Sequence, residues 1–421
     1  MNKKLDFQIN ADLNLVSKSG TTERILELSI TAPRSEKKDK RPGCNLAFVI
    51  DRSGSMEGEK IQYVRQAVNY AIDLLDDRDH IALVVYDDEV GTLSHSVPAN
   101  SKNKLMLKEM VNHVETGRMT NLGGGWLQGC DEIAKSQKES ALNRCLLLTD
   151  GLANVGVTDP EELAHHAHEL HNRGISTSTF GVGLDYNEHL LEMMARRGAG
   201  NYYFIENPEQ SRELFQKELG ELFQVTARDV EFSLKLPFID DAFVYGNWKT
   251  EQDKKGLRIF IGDIPAEQTR KIYIRLKFMA ATPSRVESDL VEGKVMAKLE
   301  SDEVIEEVAQ FAFKPAFPRE MEKAKQDEAF LRRFAIVEVA HVLAEALKLD
   351  RSGDRKEAIH IFSECLKRNA PYLEYQQLEY YQRIKLEMEM GMREANRKFH
   401  HESSQMLYQR AYMPAERYKR K

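Results

Sequence analysis

The sequence lacks paired cysteines, long apolar runs and a dominant sign of charge. Its four cysteines, Cys44, Cys130, Cys145 and Cys365, are scattered without the Cys-x-x-Cys spacing of a zinc or redox pair. Cys44 and Cys145 each open an apolar run, where a reduced thiol packs as a small hydrophobe. No run approaches the length that crosses a bilayer, so no membrane span is expected. The start, Met1 to Ile9, turns polar before a leader's apolar stretch could form, and a cytoplasmic location is the expectation. Lys+Arg 60 against Asp+Glu 67 leaves a formal charge of −7, without the basic excess of a nucleic-acid binder. Gly123-Gly124-Gly125 is followed by Trp126, not by the Lys-Ser/Thr of a phosphate-binding loop. No Gly-x-Ser-x-Gly elbow surrounds Ser53 or Ser55, which argues against a serine hydrolase.

What is present is a globular composition, 42% apolar and 8% aromatic, over 421 residues, enough for two or three domains. Residues 5–16 and 22–32 alternate apolar and polar side chains, as half-buried antiparallel strands do. The charged stretch Arg34 to Pro42 reads as a linker. From 44 to 225, strand and helix alternate. Leu46-Ala47-Phe48-Val49-Ile50 and Cys145-Leu146-Leu147-Leu148 have the continuous apolar character of parallel strands buried on both faces. Ile61, Val64, Val68, Ile72 and Leu75 mark one face of an intervening helix. Such alternation specifies a doubly wound, mainly parallel α/β sheet. Residues 226–315 return to strands and, with the N-terminal pair, can form one antiparallel sandwich into which the α/β unit is inserted. Residues 316–421 carry helical periodicity (Phe330, Phe334, Val337, Ala340, Ala344, Leu347) and end in a basic tail. The expected division is therefore 1–43, 44–225, 226–315 and 316–421.

The chemistry concentrates at strand ends. Asp51-Arg52-Ser53-Gly54-Ser55 follows the first buried strand and offers a carboxylate and two hydroxyls from one Gly-containing loop. Hard divalent cations favour such oxygen ligands. Thr120 lies in a loop leading into a helix, and Asp150 ends the strand Leu146-Leu147-Leu148-Thr149. Ligands of doubly wound sheets sit outside the carboxyl ends of the strands, where these five residues would converge.

This order of residues, on these elements, resembles the von Willebrand factor A family and its metal-ion-dependent adhesion site. The likeness covers about residues 44–225, and Gly181-Val182-Gly183 also looks like the family. It resembles the bacterial cytosolic kind, with flanking strands and a helical tail. The resemblance implies that Asp51, Ser53 and Ser55 are core metal ligands, with Thr120 and Asp150 binding directly or through water. It implies Mg²⁺, with Mn²⁺ or Ca²⁺ as alternatives, holding an Asp or Glu of a partner protein. Arg118-Met119 departs from the small residues usual before Thr120, so a bulkier loop is expected.

The implied role is a non-enzymatic interaction module or scaffold. A structural subunit with a vestigial metal site and partner-binding C-terminal helices is one alternative. A metal-dependent phosphohydrolase is another, but Ser53 stands where an aspartyl-phosphate enzyme would place its second carboxylate. His165, His166, His168 and His171 share a helix without His-Glu-x-x-His spacing, and read as its solvated side. Gly353 to Leu366 resembles half of a tetratricopeptide repeat without a second copy, and so reads as one member of a helix pair.

Overall fold

The computed structural model describes residues 5–34, 43–137, 141–150, 153–183, 186–236, 239–246, 248–253, 256–278, 289–299 and 303–410. The stretch 35–42 and the basic tail beyond Arg410 lie outside them. Over its described residues the chain divides into two compact units, one of residues 5–34, 227–299 and 303–410, the other of residues 43–226.

The 43–226 unit holds a six-stranded sheet in the order Val90–Pro98, His80–Tyr86, Cys44–Asp51, Leu142–Thr149, Ile175–Val182, Ala199–Ile205. All neighbours are parallel except Val90–Pro98, which runs antiparallel to His80–Tyr86. Cys44–Asp51 and Leu142–Thr149 are buried at every position, the cause of their unbroken apolar character. On one face, Val64 and Val68 of helix Glu59–Leu74 and Phe215 and Leu219 of helix Pro208–Leu222 join Phe48, Ile50 and Leu146. On the other, Trp126, Leu163 and Leu191 join Val49, Val84 and Leu147. The chain leaves Cys44–Asp51 for one side of the sheet and returns to it on the other at Leu142–Thr149. That reversal is the switch point beside which ligands of such sheets bind.

The edge strand Val90–Pro98 was not evident in the sequence because Ser94 is its one buried residue. An edge strand facing solvent needs no apolar alternation.

The other unit is a sandwich with a helical layer. One sheet is Asp6–Ala11, Thr22–Thr31, Thr269–Phe278, Ile239–Val244, antiparallel throughout. The second is Lys249–Asp253, Gly256–Pro265, Val225–Lys235, Asp289–Leu299, Val304–Ala316, Leu15–Ser17. Between them Leu26, Leu28, Ile272, Ile274 and Leu276 meet Phe232, Val295 and Phe313. The expected continuous strand 5–16 is divided at Asp12. The Asp12 carboxylate accepts the Ile25 backbone N–H at 2.8 Å, and Leu15–Ser17 crosses to run parallel to residues 314–316. On the outer face of the first sheet, Tyr273, Tyr245 and Ile25 pack with Phe330, Phe334, Leu343 and Leu407 of the C-terminal helices. Each large side chain so buried stabilises by about 1.5–3 kcal/mol. Helices Glu328–Arg351 and Arg355–Asn369 form the expected pair, joined by a short turn in which Gly353 has φ +95°.

Candidate functional site

Asp51 ends the central strand, paired in register with Tyr86 on one side, while its predecessor Ile50 pairs with Leu148 on the other. Parallel register therefore sets Asp51 and Asp150 at the same edge of neighbouring strands, 0% and 1% exposed. Burying two carboxylates demands compensating donors. Asp51 Oδ1 accepts the Ser53 backbone N–H at 2.8 Å, closing the turn that aims the loop's hydroxyls. Asp51 Oδ2 accepts the hydroxyls of Thr149 at 2.5 Å and Tyr86 at 3.3 Å. Ser53 Oγ and Ser55 Oγ lie 3.1 Å apart, and Ser55 Oγ donates to Asp150 Oδ1 at 2.8 Å. Asp150 Oδ2 takes the ammonium of Lys60.

Thr120, 4% exposed, comes from an adjoining loop fastened to the Asp51 loop through its backbone. Gly117 N–H donates to the Arg52 carbonyl at 2.6 Å and Gly54 N–H to the Arg118 carbonyl at 2.9 Å. Asn154 holds the far side: its Oδ1 accepts the Thr120 N–H at 2.9 Å, and its own N–H donates to the Thr120 carbonyl at 3.1 Å. The bulk of Arg118-Met119 is accommodated because both side chains are exposed, while the Arg118 backbone carbonyl bonds to the neighbouring loop.

Glycines set how closely these parts approach. At Gly117 a Cβ would fall 1.7 Å from Asp87 Oδ2, and at Gly125 2.3 Å from the Tyr86 ring. Gly125 thus lets helix Leu122–Lys135 lie against the tyrosine that donates to Asp51.

Burial pushes the Asp51 carboxyl up to about 6, with Asp150 adding to the rise, although the Thr149 and Ser53 hydrogen bonds oppose it. Burial likewise pushes the Tyr86 hydroxyl well above its ordinary range, keeping it a donor. The cluster is thus two carboxylates and two serine hydroxyls at a strand edge, with one protein cation on one carboxylate. Hard divalent cations favour oxygen sets of this kind, and the residues that could hold one are Asp51, Ser53, Ser55 and Asp150, with Thr120 in the loop fastened beside them.

Of the residues the sequence singles out, Asp51, Ser53, Ser55 and Asp150 are joined by hydrogen bonds and Thr120 stands in the adjoining loop, while three neighbours carry no such mark in the sequence pattern. Tyr86 and Thr149 act through strand pairing, which a sequence alone does not display. Lys60 carried a usable signal, since a cation in the first turn of a helix opposes the helix dipole and needs an anion. Among the described residues no group of three or more His, Cys, Asp or Glu side chains is placed to hold a metal. On helix Pro160–Asn172 the buried residues are Leu163, Ala164 and Ala167, with no fully buried histidine. No helix among the described residues is long and apolar enough to cross a membrane.

Residues 45–217 match the family model of the von Willebrand factor type A domain. The chain is 28% identical over 238 residues to the uncharacterized protein YfbK of Escherichia coli (strain K12), covering 56% of this chain and 40% of that protein. It is 30% identical over 162 residues to human inter-alpha-trypsin inhibitor heavy chain H3, covering 37% of this chain and 18% of that protein. The chain thus spans less than half the length of these curated relatives. Among solved structures, a von Willebrand factor type A protein from Catenulispora acidiphila aligns with a TM-score of 0.69 at 17% identity, over 90% of this chain and 89% of that one. The ArnB paralog VWA2 from Sulfolobus acidocaldarius aligns with a TM-score of 0.65 at 15% identity, over 98% of this chain and 100% of that one. At these identities the structural likeness speaks for the fold, and the family model for the domain. Domains of this type commonly mediate protein–protein interaction, and residues 45–217 of this chain are a von Willebrand factor type A domain.

Proposed function

We propose that this chain is a metal-dependent interaction module that is not an enzyme. Asp51, Ser53, Ser55, Thr120 and Asp150 would hold one divalent cation, Mg²⁺ or in its place Mn²⁺ or Ca²⁺. The observation that carries this reading is the hydrogen-bonded chain Asp51–Ser53–Ser55–Asp150 at the switch point of a parallel sheet, with both carboxylates buried. Ser53, Ser55 and Thr120 are neutral, and of the two carboxylates Asp150 is paired with the Lys60 ammonium, so a divalent cation leaves the site with net positive charge, which attracts an Asp or Glu carboxylate of a partner protein.

The chain's own residues do the positioning. Thr149 and Tyr86 donate to one oxygen of Asp51 and fix its orientation. The backbone bonds from Gly54 and Gly117 keep the Thr120 loop against the serine loop. A phosphohydrolase reading has no such support: residue 53 is a serine where a second carboxylate would do acid–base work.

Capture of partners by the full chain, in Mg²⁺ and in chelator, tests the proposal, with Asp51→Ala alongside. The expected result is a partner retained in Mg²⁺ and lost in chelator and in the variant. Equal retention in all three sinks it and points instead to a surface such as helix Tyr375–Met390, where Tyr375 and Met390 are 79% and 80% exposed.

A further inference from the structure

Lys60 is the second residue of helix Glu59–Leu74, whose cap residue Gly58 makes no side-chain cap hydrogen bond. A cation there faces the positive end of the helix dipole and is destabilised unless an anion lies beside it. The anion is Asp150: the Lys60 ammonium is ion-paired to Oδ2, with the lysine side chain 23% exposed and the carboxylate 0%. The stem lies in a fitted niche. Gly183 sits over it with φ +76°, and a Cβ there would come within 2.8 Å of Lys60 Cε. A Cβ there would crowd the end of the stem, so the first turn of the helix and the Gly183 segment together leave the lysine its room. Asp150 therefore serves two cations. One is the tethered ammonium, and the other is the divalent ion assigned above to the same cluster.

We propose that Lys60 is a built-in competitor for that site: its ammonium neutralises Asp150 and repels a divalent ion bound beside it. This rests on the metal reading of Asp51, Ser53, Ser55, Thr120 and Asp150. The competition sets a threshold of metal concentration below which the ammonium holds the carboxylate. It also means that metal binding loosens the contact between the first turn of helix Glu59–Leu74 and the end of strand Leu142–Thr149. A unit charge a few ångströms away in a partly buried site changes cation affinity by about tenfold or more. An ordinary structural ion pair would have the opposite consequence on removal: lower stability with or without metal, and no gain in affinity.

The test uses the full chain, with Mn²⁺ and Mg²⁺ titrated by calorimetry and melting followed in chelator and in excess Mg²⁺. Lys60→Met keeps the length of the stem without its charge, Lys60→Gln is the second neutral variant, and Lys60→Arg keeps the charge. The neutral variants are expected to bind either metal about tenfold more tightly, and Lys60→Arg within a few-fold of the parent. In chelator the neutral variants are expected to melt below the parent, and excess Mg²⁺ to close that gap. Asp51→Ala in the Lys60→Met background is expected to remove the gain, which places it at this cluster. Parent and neutral variants binding metal equally would overturn the competition and leave the metal reading standing. If neither parent nor neutral variants bind, the metal reading fails and takes the competition with it.

Discussion

At the scale of single residues, the site depends on side chains that never reach its centre. Tyr86, which donates to Asp51, has its ring packed against helix Leu122–Lys135 at Gly125, where a Cβ would fall 2.3 Å from it. Gly125→Ala puts a methyl group where the ring stands, and a packed interior relieves such a clash by shifting side chains at about 1–3 kcal/mol. Urea denaturation is expected to show a loss of that size, together with weaker Mg²⁺ binding. Unchanged stability would mean that the helix and ring separate freely and that the close approach is incidental. The same residues explain what the sequence does and does not disclose. Asp51, Ser53 and Ser55 are legible because they alternate within one short loop, and Asp150 because it follows an apolar strand. Thr120 is legible only beside the family pattern. Thr149 and Tyr86 look like ordinary strand residues until the register sets them beside Asp51.

At the scale of elements, helix Pro208–Leu222 is fixed by one buried acid. Glu218, 0% exposed, receives Arg144 Nη1 at 2.8 Å and Ser178 Oγ at 2.5 Å on one oxygen. The other oxygen receives Asn201 Nδ2 at 2.7 Å and the Tyr203 hydroxyl at 2.8 Å. Three strands are thereby pinned to one helix. Burial alone would raise the Glu218 carboxyl, but the Arg144 guanidinium and the Ser178 and Asn201 donors more than reverse it, leaving it below its ordinary value. An acid depressed in the folded state contributes stability above its unfolded pKa and loses it as pH falls through the folded one. Glu218→Gln takes the carboxylate charge away from the buried Arg144 guanidinium, and is expected to lower stability near neutral pH by about 3–5 kcal/mol. The gap between parent and variant should narrow steadily as the pH is taken below about 4, the range of an unfolded glutamate. Denaturation at a series of pH values checks this, and a gap constant with pH would show that the charge of Glu218 contributes nothing.

Elements differ in how plainly the sequence announces them, for a related reason. Strands buried on both faces and helices with one apolar face carry their burial in their composition. The α/β pattern from residue 44 onward, the sandwich strands and the helical C-terminal region are legible in that way. Val90–Pro98 and Lys249–Asp253 are edge strands with little to bury, held by backbone pairing to a neighbour. Backbone pairing leaves almost no mark on side-chain choice. The break at Asp12 is hidden for another reason, because a polar residue that caps a neighbouring strand looks like one more outward position in an alternating run.

At the scale of the whole molecule, the two units have separate cores. The 43–226 unit closes both faces of its sheet with its own helices, through one cluster around Phe48, Phe180 and Phe215 and another around Trp126, Leu147 and Leu191. The sandwich and helical layer bury Leu28, Phe232 and Ile274, and Phe334, Leu343 and Tyr381, without drawing on those clusters. A segment whose apolar faces are all covered internally has the means to fold alone. Residues 43–226 expressed by themselves are expected to unfold in one cooperative transition and to bind Mg²⁺ with the affinity of the full chain, since every residue assigned to the metal lies within them. Circular dichroism melts and calorimetric titration of the isolated segment decide the matter. A cooperative fold with much weaker Mg²⁺ binding would show that the remainder of the chain shapes the site. A non-cooperative melt would show that the strands on either side complete the core of this unit and do not merely continue from it.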